Sequence, residues 1–347
     1  MNIENLVREN IKKLKPYSSA RDSFLEGTLL DANENGIGSV WDEYAVLNRY
    51  PDPNHRKLRQ AASAYLGVNA DQLFFGVGSD EVIDLLIRIF CKPETDSIMI
   101  TDPSYGMYEV AADVNDVKVI KTVLDENFQL DLNDIREKVE AETKIVFLCS
   151  PNNPTGNLLK KEDILELVND LNCLVVIDEA YMDFAESNSL KKEVRNFENL
   201  IVLRTYSKAW GMAGIRCGFS VASPYITELL YKVKAPYNLN MMTQKGILKA
   251  IENKSTKDSF VSTIISEREK VYSELAKMSG VKKVYPSEAN FLIFEVENPD
   301  EVYQTLVKKE VIIRNRSRMT RLSGCLRVSI GNSEENELFI NELRRIL

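Results

Sequence analysis

The sequence predicts an α/β fold: a mainly parallel central sheet flanked by helices, with a smaller α+β domain attached. Three observations predict it. Short apolar runs punctuate the middle of the chain, amphipathic stretches separate them, and the rhythm changes beyond about residue 280. The runs are SIMIT (97–101), KIVFLC (144–149), CLVVID (173–178), LIVLRT (200–205) and CGFSVA (217–222). They are rich in Val and Ile and mostly continuous rather than alternating, which is the pattern of strands buried on both faces. EVIDLLIRIF (81–90) and KEDILELVNDL (161–171) carry helical spacing between them. Strands that alternate with helices argue for a parallel sheet with right-handed crossovers.

A long amphipathic helix is expected at about 257–279. After it, FLIFEV (291–296), VIIR (311–314) and LRVSI (326–330) read as strands, with helices at about 299–309 and 333–346. The length of 347 residues accommodates two lobes. The expected division is a large domain over 32–239 and a small domain built from 1–31 and 240–347, with the first 30 residues packed against the small lobe.

Composition excludes several functions. The formal net charge of −8 argues against a nucleic-acid partner, which needs clustered Lys and Arg. It leaves room for a local basic pocket that takes a small anion. Cys91, Cys149, Cys173, Cys217 and Cys325 lie far apart without a C-x-x-C pair, as expected of buried, reduced thiols. No segment approaches the ~20 apolar residues of a membrane helix, and the expected compartment is the cytoplasm. His55 is the sole histidine. A Ser-His-Asp triad or a two-histidine zinc site would rest on it alone, and no metal is expected. In PDPNHRKLRQ it reads as a solvated residue at a helix start. A general base must therefore be Lys, Tyr, Asp, Glu or Cys.

Polar clusters gather at the ends of three expected strands: SPNNPTG (150–156), DEAY (178–181) and YSKAWGMAGIR (206–216). In an open α/β sheet, ligands bind outside the carboxyl ends of the strands, so these clusters would share one crevice. Lys208 alone reads equally as a loop lysine. Its neighbours Ser207, Gly211, Gly214 and Arg216 favour a site for a phosphate, because small residues let the backbone approach and an arginine binds the anion. Asp178 ends an apolar run, where a carboxylate is costly unless it meets a cation. It reads either as a turn cap or arginine partner, or as the partner of a protonated ring nitrogen. Asn153 and Tyr181 could donate to an anionic ring oxygen. FGVGSDEVIDLL (75–86) joins a strand end to a helix start that Ser79 could cap, and first-turn N–H groups there could hold an anion. It lacks the third glycine of a dinucleotide fingerprint, and no G-x-x-x-x-G-K-[ST] loop exists. Tyr105 reads as a core aromatic or as a surface on which a flat cofactor stacks.

In this order, GVGSDE, DPSYGMY, SPNNPTG, DEAYMDF and YSKAWGMAGIRCGF resemble the pyridoxal-phosphate aminotransferases of fold type I. KPY (15–17), DANEN (31–35), NRYPDP (48–53), GSDEVIDLLIRIFC (78–91), YGMY (105–108) and SGCLRVSIG (323–331) resemble, more narrowly, the histidinol-phosphate aminotransferases. The likeness runs from about residue 15 to the C-terminus. It implies pyridoxal 5'-phosphate joined covalently to Lys208, which also carries the proton. It implies Asp178 at the pyridine nitrogen, Tyr181 and Asn153 at the ring oxygen, and Tyr105 stacked on the ring. Ser79, Asp80, Thr205, Ser207 and Arg216 would hold the cofactor phosphate, with Tyr50 reaching it from the other subunit of a homodimer. Arg327 would grip the carboxylate of glutamate, and Arg314 with Tyr17 the phosphate of histidinol phosphate, beside Asn153. Arg316, Arg318 and Arg321 read as a solvated loop. The implied reaction is a ping-pong exchange between L-histidinol phosphate and 2-oxoglutarate, giving imidazole-acetol phosphate and L-glutamate in histidine biosynthesis. An aromatic aminotransferase, a threonine-phosphate decarboxylase-like enzyme and a non-catalytic pyridoxal-phosphate binder are the rivals. Gly36 replaces the proline usual after the NEN segment, which leaves the entrance loop's shape open.

Overall fold

The computed structural model describes residues 2–41 and 47–347. Two sheets organise the chain. The larger has seven strands: β1 (Leu73–Gly76), β2 (Ser97–Asp102), β3 (Lys118–Val123), β4 (Thr143–Cys149), β5 (Leu174–Asp178), β6 (Leu200–Thr205) and β7 (Gly218–Val221). Their spatial order is β1-β7-β6-β5-β4-β2-β3. The β2, β3, β4, β5 and β6 pairings are parallel, while β7 runs antiparallel to both β6 and β1.

The continuous apolar runs are explained by burial on both faces. Side chains alternate across a strand. Val146 and Leu148 of β4, with Val175 and Ile177 of β5, enter one core cluster. Ile145 and Phe147, with Leu174 and Val176, enter the cluster on the opposite face. The Gly78–Phe90 helix covers that second face and packs on β7, and the Lys161–Asp170 helix covers the first through Ile164, Leu167 and Val168.

The smaller sheet has four strands in the order β10-β11-β9-β8: β8 (Val281–Val284), β9 (Phe291–Val296), β10 (Arg314–Asn315) and β11 (Cys325–Ser329). All its pairings are antiparallel. Leu292, Phe294 and Val296 face a core shared with the Lys254–Ala276, Pro299–Lys308 and Ser333–Ile346 helices. Phe291 and Ile293 face the other way, toward the large sheet's clusters. Arg327 stands opposite Ile293 in the β9–β11 register, so it shares that inward face. The last helix begins at a capping box, Asn332 with Glu335, and carries Arg344 and Arg345 in its last turn, where they complement the helix dipole.

Several expectations are corrected. Ile3, Val7 and Ile11 pack with the Gly78–Phe90 and Pro224–Val233 helices beside the large sheet, not against the small lobe. The apolar contacts available to that short amphipathic segment lie there, and Arg8 donates to the Arg88 carbonyl at 2.8 Å. VIIR yields only the two-residue β10 at its end, because Val311 and Ile313 pack as loop residues against the small core. His55 is buried at 1 % exposure, not solvated. It starts the Arg56–Leu66 helix with its ring edge-on to Phe75 and its Nδ1 3.2 Å from the Tyr231 hydroxyl. Burial, with Lys234 and Arg59 nearby, pushes it down to about 3, so it is a neutral core group. Ser79 does not cap its helix. Val77 is the N-cap residue, and Glu81 accepts from the Val77 N–H at 2.6 Å.

Candidate active site

The carboxyl ends of β4, β5 and β6 and the start of the Gly78–Phe90 helix surround an open pocket of about 500 Å³. Lys208, Asp178, Asn153, Tyr181, Tyr105 and Arg216 line it, and so do Ser79, Asp80, Thr205 and Ser207. Thus ten residues singled out in the sequence, from five separated segments, meet in one place.

Asp178 ends β5 and is fully buried among apolar strands. Tyr108 donates to its Oδ2 at 2.8 Å, and the Ala180 N–H to its Oδ1 at 3.0 Å. Burial nevertheless raises it to about 6, because neither donor is a cation. A carboxylate so placed has an electrostatic deficit that a cationic ring nitrogen would fill. Tyr108 escaped the sequence reading. Its ring stacks on Phe147 at 5.0 Å inside the core, and the one available signal was its position three residues after Tyr105 on a helix.

Asn153 sits in the turn after β4. Its Nδ2 donates to the Tyr181 hydroxyl at 3.3 Å, and its Oδ1 accepts from Arg327 of the small sheet. Neighbouring Asn152 donates to the Pro103 carbonyl at 3.0 Å and to Thr155 at 2.7 Å, which fixes the loop. The Glu288 N–H donates to the Gly156 carbonyl at 2.7 Å, tying the loop to the small lobe. Tyr181 packs edge-on against Phe291, and burial raises its hydroxyl's pKa, keeping it a proton donor.

Lys208 follows β6. Its Nζ lies 5.3 Å from the centre of the Tyr181 ring and has no hydrogen bond or ion pair among the described residues. Burial first, then the Arg327 charge, lowers its pKa, which favours the neutral amine required of a nucleophile or base.

A phosphate-sized niche lies at the other end. Arg216 has left-handed backbone, φ 52°, and reaches Asp80 at 3.4 Å. Gly78 has φ +74°, and a Cβ there would stand 2.8 Å from Arg216 Nη2. A Cβ on Gly218 would overlap the Ser79 N–H. Both glycines therefore keep the helix's first N–H groups and the guanidinium clear, where the helix dipole attracts an anion. Thr205 accepts from the Ser207 N–H at 3.1 Å. Tyr105 donates to Asp80 at 3.1 Å and meets Tyr108 edge-on at 5.5 Å.

Four expected residues stand outside the pocket lining: Arg327, which reaches it through Asn153, and Tyr17, Tyr50 and Arg314. Tyr17 is 75 % exposed. Tyr50 is half exposed and stacks on Tyr237 with centroids 4.3 Å apart, its N–H donating to Glu34 at 2.7 Å. Arg314 is exposed on β10, opposite Arg327. Beneath the site lies a charge network that the sequence did not reveal. Arg204, buried in β6, meets Glu179 at 3.0 Å, Asp183 at 3.4 Å and Glu186 at 2.6 Å, while Lys257 of the long helix meets Asp183 at 3.6 Å. All five cysteines are free and buried, and no His/Cys/Asp/Glu group that could hold a metal occurs among the described residues. No described helix is long and apolar enough to cross a membrane.

The profile of the family "Aminotransferase class I and II" matches residues 41–343. Histidinol-phosphate aminotransferases from Cytophaga hutchinsonii and Parabacteroides distasonis are 45% and 46% identical to the chain. Each alignment covers 99% of the chain, and 98% and 99% of the relatives. Among solved structures, the histidinol-phosphate aminotransferase from Clostridium acetobutylicum aligns with a TM-score of 0.80 at 28% identity, covering 86% of this chain and 91% of that one. The Sinorhizobium meliloti enzyme in complex with pyridoxal-5'-phosphate shares the fold, with a TM-score of 0.78 at 21% identity over 91% and 90% of the two chains. The pocket and these likenesses agree, and the chain belongs to the class I and II aminotransferase family.

Proposed function

We propose that this chain catalyses the pyridoxal-phosphate-dependent exchange of an amino group between L-histidinol phosphate and 2-oxoglutarate, yielding imidazole-acetol phosphate and L-glutamate in histidine biosynthesis. The observation that carries the reading is the unpaired, half-buried amine of Lys208 in one pocket with the buried carboxylate of Asp178, in a chain 45% identical to a histidinol-phosphate aminotransferase. The residues fit the cofactor: a carboxylate short of a cation at one end, and an anion niche kept open by two glycines at the other.

When bound, pyridoxal phosphate supplies an aldehyde that captures the amino group and a ring that accepts electron density from Cα. The chain's residues do the rest. Lys208 holds the cofactor, then uses Nζ to take the proton from the donor's Cα and return it on the other side of the exchange. Asp178 keeps the ring nitrogen protonated. Asn153 and Tyr181 donate to the ring oxygen, and Tyr105 stacks on the ring. Ser79, Asp80, Thr205, Ser207 and Arg216 hold the phosphate. Arg327 takes the carboxylate of glutamate with its planar fork. Arg314 and Tyr17 take the phosphate of the donor. We further propose a cytoplasmic homodimer in which Tyr50 reaches the other subunit's cofactor. The large lobe would span 32–239 together with the N-terminal segment, and the small lobe 240–347.

Steady-state assay of cofactor-loaded protein with histidinol phosphate, phenylalanine and threonine phosphate tests the substrate. Glutamate formation from histidinol phosphate should dominate. A preference for phenylalanine, or decarboxylation of threonine phosphate, would remove the substrate assignment.

A further inference from the structure

The segment after β10 carries a cation that the roles above do not use. Arg314 stands opposite Arg327 in the antiparallel pairing, and the Arg316 N–H donates to the Cys325 carbonyl at 2.9 Å, which extends the pairing one step. Residues two apart on a strand share a face. Arg314, Arg316 and Arg327 therefore line the side of the small sheet on which Arg327 meets Asn153. Arg318 and Arg321 are exposed and fit a solvated loop, but Arg316 is partly buried.

The Nε atoms of Arg316 and Arg327 are both buried without a hydrogen-bond partner. None of the three guanidinium groups forms an ion pair among the described residues. Arg316 is close enough to feel Arg314 and Tyr181, and Arg327 feels both other arginines. An arginine does not shed its charge, so an anion from outside the chain would relieve the repulsion. One carboxylate satisfies Arg327. A phosphate dianion has three oxygens and two charges, which suits more than one guanidinium.

Resting on the transaminase reading, we propose that Arg316 is a specificity-determining residue that binds the donor's phosphate together with Arg314. It would set the preference for donors ending in a dianion over donors ending in a neutral ring. Arg316 is not given to the carboxylate, because Arg327 alone of the three contacts Asn153.

The test compares kcat/KM of the cofactor-loaded enzyme for histidinol phosphate and for glutamate in wild type, Arg316→Gln and Arg316→Lys. A charge-assisted contact predicts a loss of about 10- to 100-fold on histidinol phosphate in Arg316→Gln. That loss should lie mainly in KM and exceed the loss on glutamate at least about tenfold, with partial recovery in Arg316→Lys because charge is restored. Equal losses on both substrates, or none, would overturn the proposal. If wild type is inert with histidinol phosphate but active on another donor, the substrate reading fails instead. Inorganic phosphate as competitive inhibitor then decides the arginine's role. Its inhibition constant should rise about tenfold or more in Arg316→Gln, and an unchanged constant would sink the assignment.

Discussion

Asp178 illustrates how one residue trades stability for function. Its folded carboxyl is raised to about 6 from an ordinary value of 3.8, with burial the first cause. Between those values the folded state binds a proton that the unfolded state has released, so folding loses stability as pH rises through the window. Below pH 4 the effect vanishes, and above pH 6 the full penalty is present. A shift of about two units corresponds to on the order of 3 kcal/mol. Asp178→Asn should therefore stabilise the cofactor-free protein above pH 6 by about that amount, with no difference near pH 4. Urea melts of both proteins across pH 4–8 provide the check, and parallel stability curves would refute it. The same substitution should weaken the cofactor's function, because an amide cannot hold the ring proton. Asp178 was legible in the sequence because a carboxylate ending an apolar run is anomalous. Tyr108, which steadies it, was not, because a tyrosine in an amphipathic helix looks like ordinary core. His55 misled for a related reason: its polar sequence neighbours face away, while its ring meets Phe75 and Tyr231 from distant segments.

Among the elements, the junction of β1, β7 and the Gly78–Phe90 helix does the most to shape the site. Gly218 begins β7 opposite Gly76, and the helix start rests directly on it. Gly218→Ala would push a methyl into the Ser79 N–H and displace the first turn. The expected outcome is a stability loss of about 1–3 kcal/mol and cofactor affinity weakened by about tenfold or more, since the anion niche is built from that turn. Thermal melts with cofactor titration measure both, and unchanged affinity would show that the first turn does not hold the phosphate. The strands around the site were readable because burial on both faces leaves unbroken apolar runs. β3 was not, because KVIKTV lies at the sheet edge with lysines exposed and only Thr122 fully buried. The antiparallel β7 also gave no sign of its direction, since a buried strand reads the same either way. Arg204 in β6 could not be understood from LIVLRT alone. Its three carboxylate partners come from the segment after β5, and Lys257 joins the network from the long helix.

For the whole molecule, the proposed homodimer can be tested through Tyr50 and the exposed surface near it. The segment from Leu14 to Trp41 exposes Tyr17, Phe24, Leu30, Ile37, Val40 and Trp41, an apolar concentration unusual on an isolated chain. Beside it, the buried Arg21 binds Asp31 and Glu34 at 2.6 Å each, and Arg49 binds Glu34 at 2.8 Å. Tyr50, whose N–H donates to Glu34, stacks on Tyr237, stays half exposed and does not line its own chain's pocket. If each pocket borrows Tyr50 from a second copy, two inactive variants should complement one another. Lys208→Ala leaves Tyr50 intact but cannot hold the cofactor, while Tyr50→Ala keeps Lys208. In a mixed dimer, one pocket carries both lesions and the other carries neither. Random exchange puts half of all subunits in mixed dimers with one sound pocket of two, so activity should return to about a quarter of wild type. Both variants should first be confirmed as dimers by sedimentation, then mixed under mild denaturant and assayed after its removal. Activity equal to the sum of the separate variants, in dimers shown to have exchanged subunits, would establish that Tyr50 serves its own chain or none.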